Sequence, residues 1–437
     1  MTCAPGPDRS FWTTLTYCVY AVPLVATTAA IGNFVTPYYS EALGLPLAAV
    51  AAALLAIPVF DAMFDPMIGL AIDRSRFRQK HRPWLLIALP VYLAGVGLVF
   101  FPPVAEVSRL YLIAAGALVY AAYTTAMVVH QAWAAALTSD PRALSRLFGF
   151  RELAVIIGIL GTFGLAAIAS RQIGSDIAAQ ARAAGGFILV AISLATAITW
   201  TFTPDTVFDR TVAPTANWPI LKNLLLTRNF GSLLAAILFF NGAWTAMSAM
   251  GFFVAKHLYR APSLFAAGLT LTFIVAPFGM ALWMRLAARL GDRQTLVLSC
   301  LYMAAIAGFV PLAVRFGDNG LLAIQALLGI GFGAGPYLTR AITGNLANAH
   351  VAQSGNDVRG SAFAAATFFD KLGSGLGAAA LIPLAWLDFD PKGAVDEAAR
   401  SALLGVATAA PAIGFLLTAL FVLVIGTAPD RVPLTQL

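Results

Sequence analysis

Long apolar segments recur along the whole of this 437-residue chain, and they constrain its fold more than any other feature. Each is about 20 residues or longer, which is the length that an α-helix needs to cross the hydrocarbon core of a bilayer. The composition agrees, because 11% of the residues are charged, against about 25% in a typical soluble protein. The sequence therefore predicts an all-α, polytopic membrane protein whose surroundings are the lipid bilayer.

Twelve such segments can be delimited, which predicts twelve transmembrane helices. They lie near residues 12–38, 47–71, 83–103, 108–136, 150–170, 185–203, 230–257, 263–290, 294–315, 319–346, 361–387 and 401–427. If the N-terminus is inside, 18 lysines and arginines fall on the cytoplasmic side and 8 on the other. Because basic residues concentrate in cytoplasmic loops, this asymmetry predicts that both the N- and the C-terminus are cytoplasmic.

The longest predicted cytoplasmic connection, residues 204–229, mixes prolines with charges and divides the chain in the middle. We therefore expect an N-terminal six-helix bundle over 1–203, a cytoplasmic linker over 204–229 and a C-terminal six-helix bundle over 230–437. A weak repeat supports the division, since Asp-Arg follows both the second segment, in GLAIDRSRFRQKHRP (69–83), and the eighth, in RLAARLGDRQ (285–294). Many transporters consist of two such bundles with the substrate site between them.

The formal net charge of +7 has a simple explanation in a membrane protein. Basic loops face the anionic cytoplasmic leaflet, so the charge does not indicate a nucleic-acid partner. The three cysteines, Cys3, Cys18 and Cys300, are scattered and provide neither a disulfide framework nor a metal site.

Glycine-rich runs such as GIGFGAGP (329–336) lie inside predicted helices, with no strand before them. They therefore predict close helix packing and a bendable tenth helix rather than a phosphate-binding loop. The sequence contains no HExxH and no Walker motif. We therefore expect neither an enzyme nor an ATP-driven motor, and no bound metal or organic cofactor.

Two acids interrupt the second apolar segment in the stretch FDAMFDP (60–66). Asp61 and Asp65 are spaced i, i+4, so a helix places them on one face. Ionised groups are costly inside a bilayer, and two neighbouring carboxylates need compensation by a proton, a sodium ion or a lysine. Thr124 and Thr125 on the fourth segment are candidate oxygen donors. We expect a proton or cation site, and the alternative is a polar patch that holds two helices together.

Lys371 lies well inside the eleventh apolar segment, where its ammonium group cannot easily reach water. The interpretation that we favour is that it pairs with an acid from the other half of the chain. Asp370 is adjacent and projects about 100° away on a helix, so it is a poor partner for Lys371.

Several polar or aromatic residues on the first, fourth and seventh segments are candidates to line a substrate pocket. They are Asn33, Tyr38, His130, Gln131, Asn241 and Trp244. The alternative for each is an ordinary hydrogen bond between helices. For His130 the alternatives are substrate binding, proton relay or plain packing.

The stretch FDAMFDPMIGLAIDRSRFRQKHRPWLLIALP (60–90) resembles a signature of the glycoside–pentoside–hexuronide:cation symporters, the melibiose-permease branch of the major facilitator superfamily. LTSDPRALSRLFGFRE (137–152) resembles the loop between the fourth and fifth spans of that family, and VRGSAFAAATFFDKLGSGLG (358–377) is similar to its eleventh span. The resemblance covers almost the whole chain. It implies a two-bundle, twelve-helix fold that works by alternating access, in a bacterial inner membrane and as a monomer.

The resemblance also implies roles for individual residues. Asp61 and Asp65 match the acids that bind the coupling cation, Thr124 a threonine of the cation site, and Lys371 a lysine close to both. The loop motif and cytoplasmic gate correspond to four further residues, Gly69, Asp73, Arg74 and Arg151.

Three departures from the family pattern bear on the substrate and on the coupling ion. Phe64 stands where sodium-using members often carry an asparagine, which favours a proton, H+, over Na+. Val25 and Met127 stand near the positions of two sugar-gripping acids, which argues against a galactoside held by paired carboxylates.

The function that the sequence predicts is cation-coupled transport of a small-molecule substrate, by family default a sugar or glycoside. Two alternatives stay open. One is a symporter or exporter of an amphipathic, lysolipid-like substrate, and the other is a membrane receptor or scaffold that does not transport.

Overall fold

A computed structural model describes residues 7–103, 107–172, 177–205, 218–261, 264–379, 382 and 397–426. The regular elements of this part of the chain are helices, which confirms the all-α prediction. The α-helices are α1 (Pro7–Cys18), α2 (Ala21–Ala30), α3 (Leu47–Arg74), α4 (Arg82–Phe100), α5 (Arg109–Leu137), α6 (Pro141–Gln172), α7 (Ile177–Phe202), α8 (Trp218–Leu226), α9 (Arg228–Phe253), α10 (Leu264–Leu290), α11 (Asp292–Ala313), α12 (Gly317–Gly331), α13 (Ala334–Ser354), α14 (Arg359–Ala379) and α15 (Glu397–Val424). Three short π-helical segments extend α2 and α9, over Ile31–Val35, Tyr38–Ala42 and Val254–Leu258.

Ten stretches within the described residues are long and apolar enough to cross a membrane. One of them, Asp292–Ser354, is 63 residues long and contains both the ninth and the tenth predicted spans. The eleventh predicted span corresponds to α14, which carries Asp370 and Lys371 and is not among the ten. The helices are therefore consistent with the predicted twelve spans.

The chain forms two compact units. The first comprises residues 1–221 together with 355–364, and the second comprises 222–354 together with 365–437. In the first unit α5 packs against α3 and α4, while α7 packs against α2, α4 and α6. In the second unit α15 packs against α9 and α11, and α12 packs against α10. Of the predicted linker, residues 206–217 lie outside the described part, and the remainder includes α8.

The first and tenth spans are interrupted, each for a local reason. Pro23 has no N–H to donate to the Val19 carbonyl, so the helix breaks between α1 and α2. In the tenth span α12 ends at Gly331 and α13 begins at Ala334, with Gly333 at a φ of 81° that favours glycine. The glycine-rich run that predicts bending is therefore the site of a break.

Side chains from neighbouring helices satisfy carbonyls at the end of α12. The Trp283 indole N–H donates to the Ile330 carbonyl at 2.7 Å, and the Tyr302 hydroxyl donates to the Leu327 carbonyl at 2.8 Å. An interrupted helix is tolerated at membrane depth when such partners occupy the freed backbone groups.

Each unit secures the C-terminal end of its last long helix with an arginine from another helix. Arg82, at the start of α4, donates to the Thr203 carbonyl at 2.6 Å, just beyond α7. Arg293, at the start of α11, donates to the carbonyls of Val422 and Leu423 in α15. A cation at a helix C-terminus is favoured by the helix dipole, so the same device serves both units.

Candidate functional site

Asp61 and Asp65 lie one turn apart on α3 and are buried, with 3% and 0% of their surfaces exposed. The Thr124 hydroxyl of α5 donates a hydrogen bond to Asp61 Oδ1 at 2.5 Å. The structure therefore brings together two acids and the threonine that the sequence singles out. Since ionised groups in a bilayer normally face a partner or a polar site, this cluster is the candidate coupling site.

Tight packing between α3 and α5 sets the approach of Thr124 to Asp61. A Cβ added at Gly116 of α5 would collide with the Ile57 side chain of α3, one turn before Asp61. Phe64, in the same turn as the acids, is 40% exposed. The other candidate threonine, Thr125, donates to the Ala121 carbonyl of its own helix at 2.8 Å. Thr124 is therefore the threonine that contacts the acids.

His130 is held in a packed polar cluster. Its ring stacks on Tyr17 of α1, with ring centroids 4.0 Å apart and planes within 7° of parallel. Its Nε2 donates to the Tyr17 carbonyl at 2.9 Å, and the Tyr17 hydroxyl donates to the His130 carbonyl at 2.8 Å. Among the alternatives for His130, these contacts favour packing, and Tyr17 is a partner that the sequence did not reveal. The neighbouring Gln131 is buried as well.

Arg151 lies inside a helix rather than in a loop. The resemblance implied a loop over this region, but α6 begins at Pro141, nine residues before the predicted span. The reason is local: Asp140 accepts hydrogen bonds from the backbone N–H groups of Arg142 and Ala143, and a proline at the first helical position is favourable. The resemblance to a loop was therefore wrong for residues 141–149, which are helical.

The buried guanidinium of Arg151 contacts groups within the first unit. Arg151 Nη2 lies 3.2 Å from Met127 Sδ, and its Nη1 lies 3.7 Å from a carboxylate oxygen of Glu152. Its Nε lies 3.5 Å from His130 Nδ1. Glu152 lies next to Arg151 near the start of the fifth predicted segment, and its position in the sequence alone did not identify it as a partner of that arginine.

The substrate-pocket candidates are distributed over both units. In the first unit Tyr38 is buried and its hydroxyl donates to the Phe100 carbonyl at 3.4 Å, so it packs on the end of α4. Asn33 is exposed and donates to the Ala29 carbonyl of its own helix at 2.8 Å. In the second unit Asn241 donates to the Ile237 carbonyl at 3.0 Å, and Trp244 contacts Phe332 edge-on at the break of the tenth span. For Tyr38, burial and this hydrogen bond favour the alternative of an ordinary contact between helices.

Lys371 lies on α14 within the second unit and is partly buried. This helix corresponds to the eleventh predicted span.

The loop motif contacts the beginning of α14 within the first unit. Asp73, the penultimate residue of α3, accepts hydrogen bonds from the backbone N–H groups of Gly360 and Ser361 at 2.8 and 2.7 Å. Gly69, one turn earlier, permits this approach, because a Cβ there would lie 2.6 Å from Ala364 Cβ. Asp73 therefore caps the N-terminus of α14. Arg74, the next residue, is exposed.

An ion pair reinforces the same contact. Lys80 Nζ, from the loop between α3 and α4, lies 2.7 Å from Asp357 Oδ2, and Arg359 Nη1 lies 3.2 Å from that oxygen. Burial raises the pKa of the Asp357 carboxyl, but Lys80 and Arg359 outweigh burial and lower the pKa to about 2. Asp357 is therefore charged under physiological conditions. Basic residues are frequent in this loop, so the sequence did not identify Lys80 as its partner.

A family model described as MFS/sugar transport protein matches residues 16–425. The putative glycoside/cation symporter YagG of Escherichia coli K12 is 31% identical over 133 residues, and the inner membrane symporter YicJ of the same strain is 31% identical over 137 residues. These alignments cover 30% and 29% of this chain. They span 29% and 28% of the relatives, so the chain matches less than a third of their length.

Solved structures with the same fold include two sugar symporters. The proton:xylose symporter XylE matches with a TM-score of 0.69 and 13% identity, over 96% of this chain and 95% of that one. The E. coli fucose:proton symporter FucP matches with a TM-score of 0.65 and 13% identity, over 96% and 99%. A bacterial homologue of the iron transporter ferroportin matches with a TM-score of 0.69 and 13% identity, over 94% and 99%. At this identity the likeness establishes the fold alone.

Proposed function

The chain belongs to the MFS/sugar transport protein family, and from that premise we propose that it is a proton-coupled symporter of a sugar or glycoside. It acts in the bacterial inner membrane with both termini in the cytoplasm, by alternating access of two six-helix bundles, and it needs no second copy. Matches to a putative glycoside/cation symporter and an inner membrane symporter support this proposal.

The observation that carries the proposal is the buried cluster of Asp61, Asp65 and Thr124. A scaffold gains nothing from two carboxylates inside an apolar helix, because each costs free energy unless it is neutralised or paired. A carboxylate pair that binds and releases a cation gives those acids a function.

A proton suits this cluster better than a sodium ion. A sodium ion needs several oxygen ligands, and the residue before the second acid, Phe64, has a side chain without an oxygen atom. A proton needs only one carboxylate oxygen. The Thr124 hydroxyl, which donates to Asp61, stabilises that carboxylate while it is ionised.

Lys371 provides the counter-charge in the proposed cycle. When the acids are ionised, the lysine favours one arrangement of the bundles, and when a proton neutralises the pair, that preference weakens. The proton thus shifts the balance between two states, and coupling follows if the substrate binds more tightly to the protonated state. Substrate and proton then enter together, and proton release to the cytoplasm resets the acids.

Transport by proteoliposomes tests this proposal directly. Purified protein is reconstituted, and a panel of radiolabelled sugars and glycosides is offered under an imposed pH gradient, an imposed sodium gradient or neither. We expect accumulation driven by the pH gradient. Asp61→Asn and Asp65→Asn should abolish accumulation, while Asp318→Asn, which removes a charge from an exposed site, should leave it unchanged. Undiminished accumulation in both buried variants would overturn the role of the acids.

The remaining outcomes separate the alternatives. Accumulation under the sodium gradient alone would show that the coupling ion is sodium and not a proton. Uptake of a fluorescent lysophospholipid, but of no sugar, would support the amphipathic substrate. Binding of a ligand without transport under any gradient would support a receptor.

A further inference from the structure

Two adjacent residues of the loop between α3 and α4 are anchored to different parts of the first unit. Lys80 pairs with Asp357, which precedes α14. His81 pairs with Asp205, which follows α7: His81 Nδ1 lies 2.8 Å from Asp205 Oδ1. His81 is 1% exposed, so the pair is sealed from solvent.

Asp205 holds the backbone of the loop as well as the imidazole. Its Oδ2 accepts hydrogen bonds from the backbone N–H groups of His81 and Arg82, at 2.9 and 3.0 Å. These are N–H groups at the start of α4, so the carboxylate also caps that helix. The position of His81 is thus fixed through both its side chain and its main chain.

Residues of α5 and of the segment after α7 also contact each other around His81. Its ring stacks on Trp133 of α5, with centroids 5.8 Å apart and planes within 6° of parallel. The Trp133 indole N–H donates to the Pro204 carbonyl at 2.9 Å, and Arg82 donates to the Thr203 carbonyl. The segment that carries Asp205 is therefore tied to two helices on its own account.

A lysine is an entropically costly member of a partly buried ion pair, because its long side chain loses rotamer freedom. A pair that is partly withdrawn from water stabilises the fold only where its geometry is well fixed. Lys80 reaches Asp357 from a loop, and a loop alone would fix the position of the lysine poorly. The hydrogen bonds between the next residue, His81, and Asp205 restrict the backbone of the loop at this point.

We propose that His81 and Asp205 are positioning residues for the Lys80–Asp357 contact. They hold the loop so that the lysine meets the segment before α14, and they thereby support the cap that Asp73 places on that helix. The inference rests on the proposed function in one respect: it takes the contact with residues 355–364 to form and break during transport.

Hydrogen exchange of the backbone amides of residues 355–364 tests this inference on purified protein in nanodiscs, without substrate. His81→Phe keeps an aromatic ring and removes the donor to Asp205. We expect it to increase exchange of these amides roughly tenfold, the effect of losing about one buried hydrogen bond. His81→Asn, whose amide can replace Nδ1 as a donor, should restore protection. Gln79→Ala, which alters the preceding side chain of the loop, is the control and should not change exchange.

A double-mutant cycle separates positioning from general support of the fold. Lys80→Ala should increase exchange of the same amides, and adding His81→Phe to it should have little further effect, since no lysine is left to position. If His81→Phe does not fold, Asp205→Asn takes its place as the single variant of the cycle. If the substitution at His81 or Asp205 increases amide exchange equally with and without Lys80, the proposal is overturned. Because exchange is measured without substrate, a negative transport assay would refute the proposed function and leave this result standing.

Discussion

Asp73 and Ser361 are 288 positions apart in the chain and are joined by a hydrogen bond of 2.7 Å from the Ser361 N–H to Asp73 Oδ2. The other carboxylate oxygen accepts the Gly360 N–H at 2.8 Å. One buried aspartate thereby satisfies two of the backbone donors that the start of α14 leaves without a helical partner. The end of α3 and the beginning of α14 are thus held together by two hydrogen bonds to one carboxyl group as well as by packing.

Replacement of Asp73 should therefore expose the start of α14. Asp73→Ala leaves two buried donors unsatisfied, which costs about 1–3 kcal/mol for a buried group. Asp73→Asn should be about as harmful, because its amide NH₂ would face one of the two N–H groups. Hydrogen exchange of the Gly360 and Ser361 amides measures the effect. If these two amides exchange in Asp73→Asn at the same rate as in the parent, the role of the carboxyl group as a cap is contradicted.

Gly69 should not tolerate a methyl group. A Cβ at this position would lie 2.6 Å from Ala364 Cβ and 2.9 Å from the Gly360 carbonyl oxygen. Gly69→Ala should therefore separate α3 from α14 and lower the thermal stability, at a cost of roughly 1–3 kcal/mol for overpacking. Gly97→Ala in α4 is the matched control, because no atom lies within 4 Å of its Cβ. That substitution should be neutral or stabilising by about 0.5–1 kcal/mol. Equal melting temperatures for the two variants would refute the packing argument.

The hydroxyl of Thr124 should matter for coupling, and that of Thr125 should not. Thr124→Val keeps the side-chain volume and removes the donor to Asp61. We expect it to reduce proton-driven substrate accumulation by about tenfold, the effect of one hydrogen bond to a charged group. Thr124→Ser should restore much of the activity. Thr125→Val removes a hydroxyl that bonds within its own helix and should transport normally. Similar losses in both valine variants would mean that the effect comes from helix packing.

His81 should make the protein less stable at mildly acidic pH. Burial lowers the pKa of His81 below its usual 6.5, although the hydrogen bond and charge of Asp205 act in the opposite direction. The groups that face it are Asp205, Lys80, Asp357 and, through the main chain, Arg82. The pKa values of both Asp205 and Asp357 are lowered, so these acids stay ionised between pH 5 and 8.

The sign follows from proton linkage. The unfolded chain binds a proton at His81 near pH 6.5 and the folded protein binds it less readily, so stability falls as the pH drops below about 6.5. We expect the melting temperature of the parent to fall between pH 7.5 and 5.5 by more than that of His81→Asn, which does not titrate. If the melting temperatures of the two proteins fall by the same amount over this range, His81 does not contribute to the pH dependence of stability.

The local chemistry of the candidate site could be predicted from sequence because it depends on spacing along one helix. Asp61 and Asp65 are four residues apart, so any helix through them places both acids on one face, and the cost of exposing a carboxylate to lipid favours burial of that face. The break of the tenth span also depends on neighbouring residues, because the positive φ of Gly333 lies directly between α12 and α13. The start of α6 was also local, yet it was missed, because the Asp140-Pro141 signal for a helix was outweighed by the loop-like polarity of the residues that follow.

The sequence by itself determined that this chain is a bundle of membrane-spanning helices with two acids inside one of them, because hydrophobic length and helical period are properties of neighbouring residues. Only the tertiary structure decided which residues meet across long separations. That Asp73 caps α14, that His81 pairs with Asp205 and that His130 stacks on Tyr17 depends on how the helices pack. A charged or polar side chain in a loop has many possible partners, and the neighbouring residues do not distinguish between them. The packing of the helices decides which partner lies within hydrogen-bond distance.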